Sequence, residues 1–552
     1  MPSPSLSDNA FRIETLSPRR PAGLTMRARA LLRSSWERVQ RFRIDPVLAA
    51  ALVVGALVRA WRFGALPSGM NQDEAAMAYD AYCLIHHGTD RLGIHLPTML
   101  VSWGSGMNPL ASYVAAPFVG LLGLRPWTAR LPFLLAGVAS LPLFYTMLRE
   151  TIDRRVARVG VALLAISPWH VMVSRWGLEA NLFPFVFLLA SVLLLCSTRR
   201  PSLLLAAAAA YAISLYAYGT SYFVVPTFVV MALAYGLRHR LWPARFILAA
   251  GVVFVLCAIP MGLNLAVNSL GWNEIHTPLF TVPKMTGTAR YRMMGNTNLL
   301  SRAFLENAAD NLKAAAGIFR AQDDGLISNV VPGYGVLFWF TSALAIAGLA
   351  LLAAQALRRR YRPAFFLLAW SLAAILMTAF VSVNVNRANI AWLPFIACAS
   401  IATAFLGQRR SLAVLLGLAY GGSFVGFVCT YFGQYAELGA SRFFPSFGEA
   451  IGYASRQTEG EVCITKQPEQ PYIFVLLYNR EDPRTFYRTV RYEDPHADFH
   501  TVVSFGRYRF GLDRCRDSAP VLIVPRQEAA PFEAAGFEAR RFSHYTVLTR
   551  RK

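Results

Sequence analysis

Eleven apolar runs, each close to the length of chain that crosses a bilayer, divide this sequence, and arginine-rich loops follow every second one. They fall at about 46–64, 127–148, 156–173, 181–198, 202–219, 222–237, 246–263, 334–356, 364–382, 389–406 and 412–433. A spanning helix needs about 20 mostly apolar residues, and a soluble fold has no interior large enough for so many. Hydrophobic residues are 55% of the 552 and charged residues 15%, against about 25% charged in soluble domains. That composition excludes disorder, and 7 Cys in the whole chain are too few for a disulfide scaffold. The expected fold is an α-helical polytopic membrane protein of about 11 spanning helices (range 11–13).

The charge is +23, from 54 basic and 31 acidic residues. Such an excess can mark a nucleic-acid binder. Here the basic residues fall between apolar runs, so cationic cytoplasmic loops explain them and no nucleic-acid partner is expected. Residues 1–45 carry nine Arg and lack the apolar core and cleavage site of a signal peptide, so they are expected to stay in the cytoplasm. Every even-to-odd loop is then basic: Arg149, Arg154 and Arg155; Arg199 and Arg200; Arg238, Arg240 and Arg245; Arg358, Arg359, Arg360 and Arg362; Arg409 and Arg410. The positive-inside rule asks for this pattern. The segment 109–123 is short for a span, and counting it would invert the later loops, so it is read as lying at the outer interface.

Three large pieces then face outward: 65–126, 264–333 and 434–552. The last reads as a small α/β domain, with EVCITK and PVLIVP as buried strands, GEAIGYASRQ and PYIFVLLYN as helices, and 537–548 as a closing strand. It holds Cys463 and Cys515, which an external compartment would allow to pair; two unrelated core cysteines are the duller reading. There is no internal repeat of the kind that builds inverted-repeat transporters.

The first outer loop contains an acidic pair, Asp73-Glu74, opening an alanine-rich helical run. Acids in a first helical turn suit the helix dipole, and that alone would account for them. Arg130, Arg175 and Arg387 stand at the outer ends of spans, where the charge rule gives no reason for arginine. Each could anchor at the interface; together they could hold a phosphate.

DEAAMAYDA, GTDRLGIHLP, NPLASYV and ARLPFLLAG, in that order after one helix, resemble the polyprenyl-phosphate-dependent glycosyltransferases. These multi-helix enzymes of GT-C fold include the protein O-mannosyltransferases and the lipid A aminoarabinose transferase. SPWHVMVSRWGLEANL and YAYGTSYFVVP resemble later helices of the bacterial branch, and FLENAADNLKAAAGIFRAQDDG followed by GYG its second large outer loop. The resemblance covers about 45–435 and, more weakly, the tail. It implies a sugar donor on a polyprenyl phosphate, Asp73 as general base and Glu74 as its support. Asn108-Pro109 matches a family feature, but the Glu-Lys usual before that Pro in aminoarabinose transferases is Met107-Asn108 here. That argues against aminoarabinose and leaves the donor phosphate to Arg387, Arg175 and Arg130. Tyr79, Asn108, His170, Glu179 and Asn181 are further candidates for the donor and acceptor pocket; His170 as a satisfied helix histidine is the plainer reading.

A sugar phosphodiester already has a good leaving group, so one base can suffice where glycosidases use two carboxylates. The expected reaction is inverting transfer of a hexose or pentose to an acceptor hydroxyl of a protein, lipid or wall glycan. It would occur on the extracytoplasmic face of a bacterial plasma membrane. Asp323-Asp324 resembles a metal pair only faintly, and no His or Cys cluster has ligand spacing. No cofactor is expected to be required, and a divalent metal is left open. A lipid-linked saccharide flippase and a membrane-anchored glycan-binding protein are the competing readings.

Overall fold

The computed structural model describes residues 45–287, 301–358, 361–497 and 499–550. The basic segment 1–44, residues 288–300 of the second loop, and Arg359 and Arg360 lie outside the described residues. The chain is mostly helical. The helical part comprises α1 (Pro46–Ala60), α2 (Gln72–His87), α3 (Leu110–Leu122), α4 (Pro126–Thr151), α5 (Arg154–Ile166), α6 (Pro168–Val173) and α7 (Phe183–Ser197). It continues through α8 (Leu203–Ser214), α9 (Ser221–Arg238), α10 (Ala244–Ser269), α11 (Arg302–Ala321), α12 (Thr341–Ala356), α13 (Ala364–Phe380), α14 (Asn389–Leu406) and α15 (Arg410–Gly433). Among the described residues six of these are long and apolar enough to cross a bilayer, namely α4, α7 with its preceding turn, α9, α10, α14 and α15, and five shorter apolar helices accompany them.

The structure corrects one expectation about spans. The run 156–173 is not one helix. Pro168 has no N–H to donate and its ring disfavours a helical residue before it; Ser167 turns to ψ 120° and its side chain caps α6. The segment 109–123 holds a helix of its own, α3, whose buried face (Ala111, Ser112, Ala115, Ala116, Val119) packs on α2.

The second expectation of detail concerns the tail. After two short turns (Tyr435–Leu438, Ala440–Phe443) it forms α16 (Phe447–Gln457), α17 (Tyr472–Asn479), α18 (Pro483–Thr489) and a seven-stranded sheet. Two small hairpins precede the sheet in the chain: β1 (Leu100–Ser102) with β2 (Ser105–Met107), and β3 (Ile275–His276) with β4 (Thr281–Val282). The sheet strands are β5 (Val462–Ile464), β6 (Arg491–Tyr492), β7 (Val502–Phe505), β8 (Tyr508–Phe510), β9 (Val521–Pro525), β10 (Phe537–Arg541) and β11 (Tyr545–Arg550). Their order is β10-β11-β9-β5-β8-β7-β6. Both neighbours of β5 run parallel to it, and β5 and β9 are buried throughout, as strands covered on both faces must be. The stretch 537–548 is thus a hairpin, not one strand, because the chain reverses at 542–544 and Phe542 N–H donates to Tyr545 O (2.8 Å). Cys463 on β5 and Cys515 are joined as a disulfide, Cα–Cα 5.6 Å.

One apolar core fills the helix bundle around Trp169, Phe187, Trp370 and Trp392. A second is shared between α2 and the α/β domain, with Ala75, Met77, Ala78 and Ala81 against Phe447, Ile473, Leu476 and Val521. The alanines of α2 are fully buried, and their small side chains let α3 and α17 approach closely. The α/β domain is therefore built onto the helix that carries the acidic pair.

Candidate active site

Asp73 sits in the first turn of α2. The Asn71 side chain caps that helix by accepting from Asp73 N–H (3.0 Å), and Gly88 closes its other end in the left-handed conformation, φ 67°. The Asp73 carboxylate is half-buried, and its Oδ1 accepts from Trp103 Nε1 (3.1 Å). Trp103 comes from the tight turn of the β1–β2 hairpin. Trp103 (φ 54°) and Gly104 (φ 84°) are both left-handed there, the geometry a two-residue hairpin turn favours. A Cβ on Gly104 would meet the His500 ring at 3.1 Å. The Trp103 ring is fixed from two sides: the Arg91 guanidinium lies 5.3 Å from its centroid, and Tyr472 of the α/β domain meets it edge-on at 5.9 Å. Trp103 O also accepts from His500 N–H (3.0 Å). First loop, hairpin and α/β domain thus converge on one carboxylate.

Glu74 has a different place. It is fully buried and forms a two-pronged ion pair with Arg130 of α4, Nε–Oε1 and Nη2–Oε2 both 2.7 Å. Gly177 N–H donates to Glu74 Oε1 (2.8 Å), and Arg130 also donates to Pro67 O (2.8 Å) and Gly69 O (2.7 Å). Arg130 is enclosed and engaged on every side, so the geometry does not offer it to a phosphate. Glu74 fixes the start of α2 against α4 and against the backbone at Gly177.

Arg175 is likewise turned inward. It donates to Arg59 O, to Arg62 O (3.1 Å) and to Leu66 O (3.3 Å), and its guanidinium lies 5.6 Å from the Tyr431 ring and 5.3 Å from that of Phe432. It thereby satisfies carbonyls freed at the end of α1. The reverse brace comes from Arg59 of α1. It donates to Leu164 O (3.1 Å) and Ala165 O (3.0 Å), freed where α5 breaks before Pro168, and to His170 Nδ1 (2.7 Å). His170 is a satisfied helix histidine, not a groove lining. Of the three arginines expected at a phosphate, Arg387 alone is exposed. Its Nη1 donates to Ser382 O (3.0 Å) within its own loop.

Three amide side chains, those of Asn386, Asn389 and Asn181, tie that loop to the acidic pair. Asn389 Nδ2 donates to Asn386 Oδ1 (3.0 Å) and to Asn181 Oδ1 (2.9 Å); Asn181 Nδ2 donates to Trp176 O (3.0 Å), next to the Gly177 that binds Glu74. Trp169 Nε1 donates to Asn389 Oδ1 (2.7 Å). Asp324 holds the same loop by accepting from Val385 N–H (2.8 Å) and Asn329 Nδ2 (2.7 Å), a loop-bracing role that explains the Asp323-Asp324 pair. Glu179 accepts from Asn108 N–H. Asn108 Nδ2 donates to Leu215 O (3.1 Å) and Tyr222 Oη (2.9 Å), while its buried Oδ1 has no partner among the described residues. Tyr79 is enclosed and donates to Glu481 O (2.5 Å), clamping α2 to the α/β domain instead of lining a pocket.

Sequence reasoning missed Trp103, Arg91 and Asp80. Arg91 is paired with Asp80 (3.1 Å), both buried, and donates to Val101 O (3.0 Å) at the hairpin. Beside them Asp90 Oδ1 accepts from Leu92 N–H (2.8 Å) and Ile94 N–H (2.9 Å), and its Oδ2 is buried without a partner among the described residues. Burial, and then the Asp80 carboxylate, push the Asp90 carboxyl up to about 7. An unfolded aspartate titrates near 4. Between about pH 4 and pH 7 the folded chain therefore holds the extra proton, and this group's contribution to stability falls as pH rises through that window. Asp90→Asn is expected to flatten the pH dependence of the unfolding midpoint between pH 5 and 8; identical slopes in both proteins would refute the assignment. The Asp-Arg spacing in GTDRLG was visible in the sequence, but nothing there tied it to a tryptophan twelve residues on.

The family described as dolichyl-phosphate-mannose-protein mannosyltransferase matches this chain over residues 106–263. That span includes Asn108, Arg130, His170, Arg175, Glu179 and Asn181 and begins after Asp73. Two putative mannosyltransferases of Bacillus subtilis (strain 168), YycA and YkcB, are 26% identical over 162 and 154 residues, or 29% and 27% of this chain. The aligned part is 21% of each of those proteins, so this chain matches about a fifth of the length of these curated relatives. Among solved structures, ArnT from Cupriavidus metallidurans bound to undecaprenyl phosphate aligns over 91% of this chain and 97% of its own. The TM-score is 0.52 at 15% identity. The Archaeoglobus fulgidus oligosaccharyltransferase tethered with an acceptor peptide aligns over 78% of this chain and 62% of its own, with a TM-score of 0.52 at 14% identity. The architecture is thus the GT-C fold, with a small sheet domain at the carboxyl end.

Proposed function

We propose that this chain is an integral-membrane glycosyltransferase that moves a sugar from a polyprenyl phosphate to an acceptor hydroxyl on the extracytoplasmic face, with inversion. The observation that carries this reading is the half-buried Asp73 carboxylate, aimed by Trp103 at the meeting point of the first loop and the α/β domain. The matching family, named for a lipid-phosphate mannose donor, and a GT-C neighbour solved with undecaprenyl phosphate support the donor class.

Asp73 takes the proton of the acceptor hydroxyl as that oxygen attacks the anomeric carbon. The bond to the phosphate oxygen breaks on the opposite side, and the lipid phosphate departs with the electron pair. Cations beside that phosphate stabilise the charge it gains. Among the expected arginines Arg387 is the one with an exposed guanidinium for this role. Trp103 donates to the ionised carboxylate, holding it in place for the transfer.

The test is a reconstitution in liposomes with synthetic polyprenyl-phosphate sugars, reading release of the bare lipid phosphate when acceptor is added. Wild type is expected to release it with one such donor. Trp103→Phe keeps a ring but removes the N–H, and is expected to lower kcat about tenfold, the worth of one hydrogen bond to a charged group, with donor KM unchanged. Transbilayer movement of intact donor without release would sink the proposal in favour of a flippase.

A further inference from the structure

A crevice of about 850 Å³ opens beside the start of α2, between the α/β domain and the turn at 440–444. Its floor is formed by the loops that leave β5 and β9, residues 466–469 and 525–527. These two strands are parallel neighbours at the centre of the sheet. From β5 the chain runs out to β6 at one edge, comes back through β7 and β8, and then crosses to β9 on the other side of β5. Ligands of parallel sheets lie outside the carboxyl ends of the strands at such a point, because the diverging connections leave a gap there.

The walls are cationic. Arg442, Lys466 and Arg526 line the crevice against one acid, Glu469. Lys466 is loosely paired with Asp513 (3.7 Å). The guanidinium groups of Arg442 and Arg526 have no hydrogen bond or ion pair among the described residues. Phe444, also in the wall, holds φ 47°, a conformation that a bulky residue adopts only when its surroundings impose it. It caps the turn at 440–443, with Phe444 N–H donating to Ala440 O, and the first loop packs against it: a Cβ on Gly69 (φ 83°) would meet Phe443 O at 2.0 Å. The crevice is therefore a built feature that clamps the domain to the loop of the acidic pair. Gln72, the residue before Asp73, lines its inner edge.

We propose that this crevice docks an anionic group, phosphate or carboxylate, carried by the acceptor. Unpaired arginines bind such groups with two parallel N–H donors, and a concave cationic wall concentrates anions. The walls come chiefly from the α/β domain and not from the helices, so the crevice suits the acceptor and not the lipid end of the donor. The inference rests on reading Asp73 as the acceptor's base; Gln72, one residue before it in the chain, lines the crevice.

The test uses the full chain in maltoside detergent and ligand-observed NMR with three probes: glucose 1-phosphate, glucuronate and glucose. The two anions are expected to bind and glucose to bind at least about tenfold more weakly. Arg442→Gln with Arg526→Gln, both exposed positions, is expected to weaken anion binding about tenfold or more. Anion binding unchanged in that double variant, or glucose binding as well as the anions, overturns the proposal. Asp73→Asn separates the two readings. Binding lost in the arginine variants while Asp73→Asn turns over normally leaves an anion site and removes the base. Binding unchanged in the arginine variants while Asp73→Asn is inactive leaves the base and removes the site. Added phosphatidylglycerol that displaces glucose 1-phosphate assigns the anion to a lipid headgroup; no displacement assigns it to a glycan.

Discussion

Asp73→Asn is expected to lower turnover about 10³-fold, within the range a general base supplies. The substitution is nearly isosteric. Its amide oxygen can still accept from Trp103 Nε1, and the backbone N–H that Asn71 caps is untouched. The site should therefore stay assembled, and the loss should be one of chemistry alone. Two measurements check this together. The unfolding midpoint should match wild type, and native mass spectrometry of purified protein should find the mutant holding donor lipid with its sugar where wild type holds the bare lipid phosphate. Turnover within tenfold of wild type would remove Asp73 from the mechanism.

The largest effect on stability is expected at Glu74. Its pair with Arg130 is closed to water, and Glu74→Gln leaves the arginine buried with a neutral partner. Breaking a buried pair from one side costs about 3–5 kcal/mol, whereas replacing both members with apolar residues is often neutral. Glu74→Gln should lower the midpoint of thermal unfolding markedly, and Glu74→Leu with Arg130→Met should not restore it, because Gly177 N–H, Pro67 O and Gly69 O then lose their partners. The same experiment decides what Arg130 does. A phosphate ligand would raise donor KM with stability intact; an internal brace gives the opposite pattern.

The comparison of these two neighbours shows how far sequence could go. Asp73 and Glu74 look equivalent in a chain of letters, and both suit the first turn of a helix. Facing outward or inward is decided by α4, 56 residues on from Glu74, and by the hairpin that brings Trp103 to Asp73. The membrane class was legible because bilayer thickness fixes a length of apolar chain that any reader can count. The break at Pro168 was legible in principle, since proline carries its own rule. Arg175 misled because a cation beside a span suggests an external anion, when the demand it meets is internal: carbonyl oxygens at the end of a helix. The α/β domain's strands stood out as buried runs, but their order, and so the crevice at β5 and β9, depends on which strands pair, which the letters do not state.

Arg59 and Arg175 brace each other's helices, each taking carbonyls at an end the other's segment leaves open. This has a consequence for how the chain enters a membrane. Synthesis delivers α1 long before residues 164–175 exist, so Arg59, in the last turn of α1, must first stand without its partners; a cation costs about 2.5–3.5 kcal/mol at the middle of a bilayer and less toward the interface. The debt is settled only when the α5–α6 break arrives with its free carbonyls. The first helix is thus completed in two stages, made early and locked late by a segment more than a hundred residues downstream.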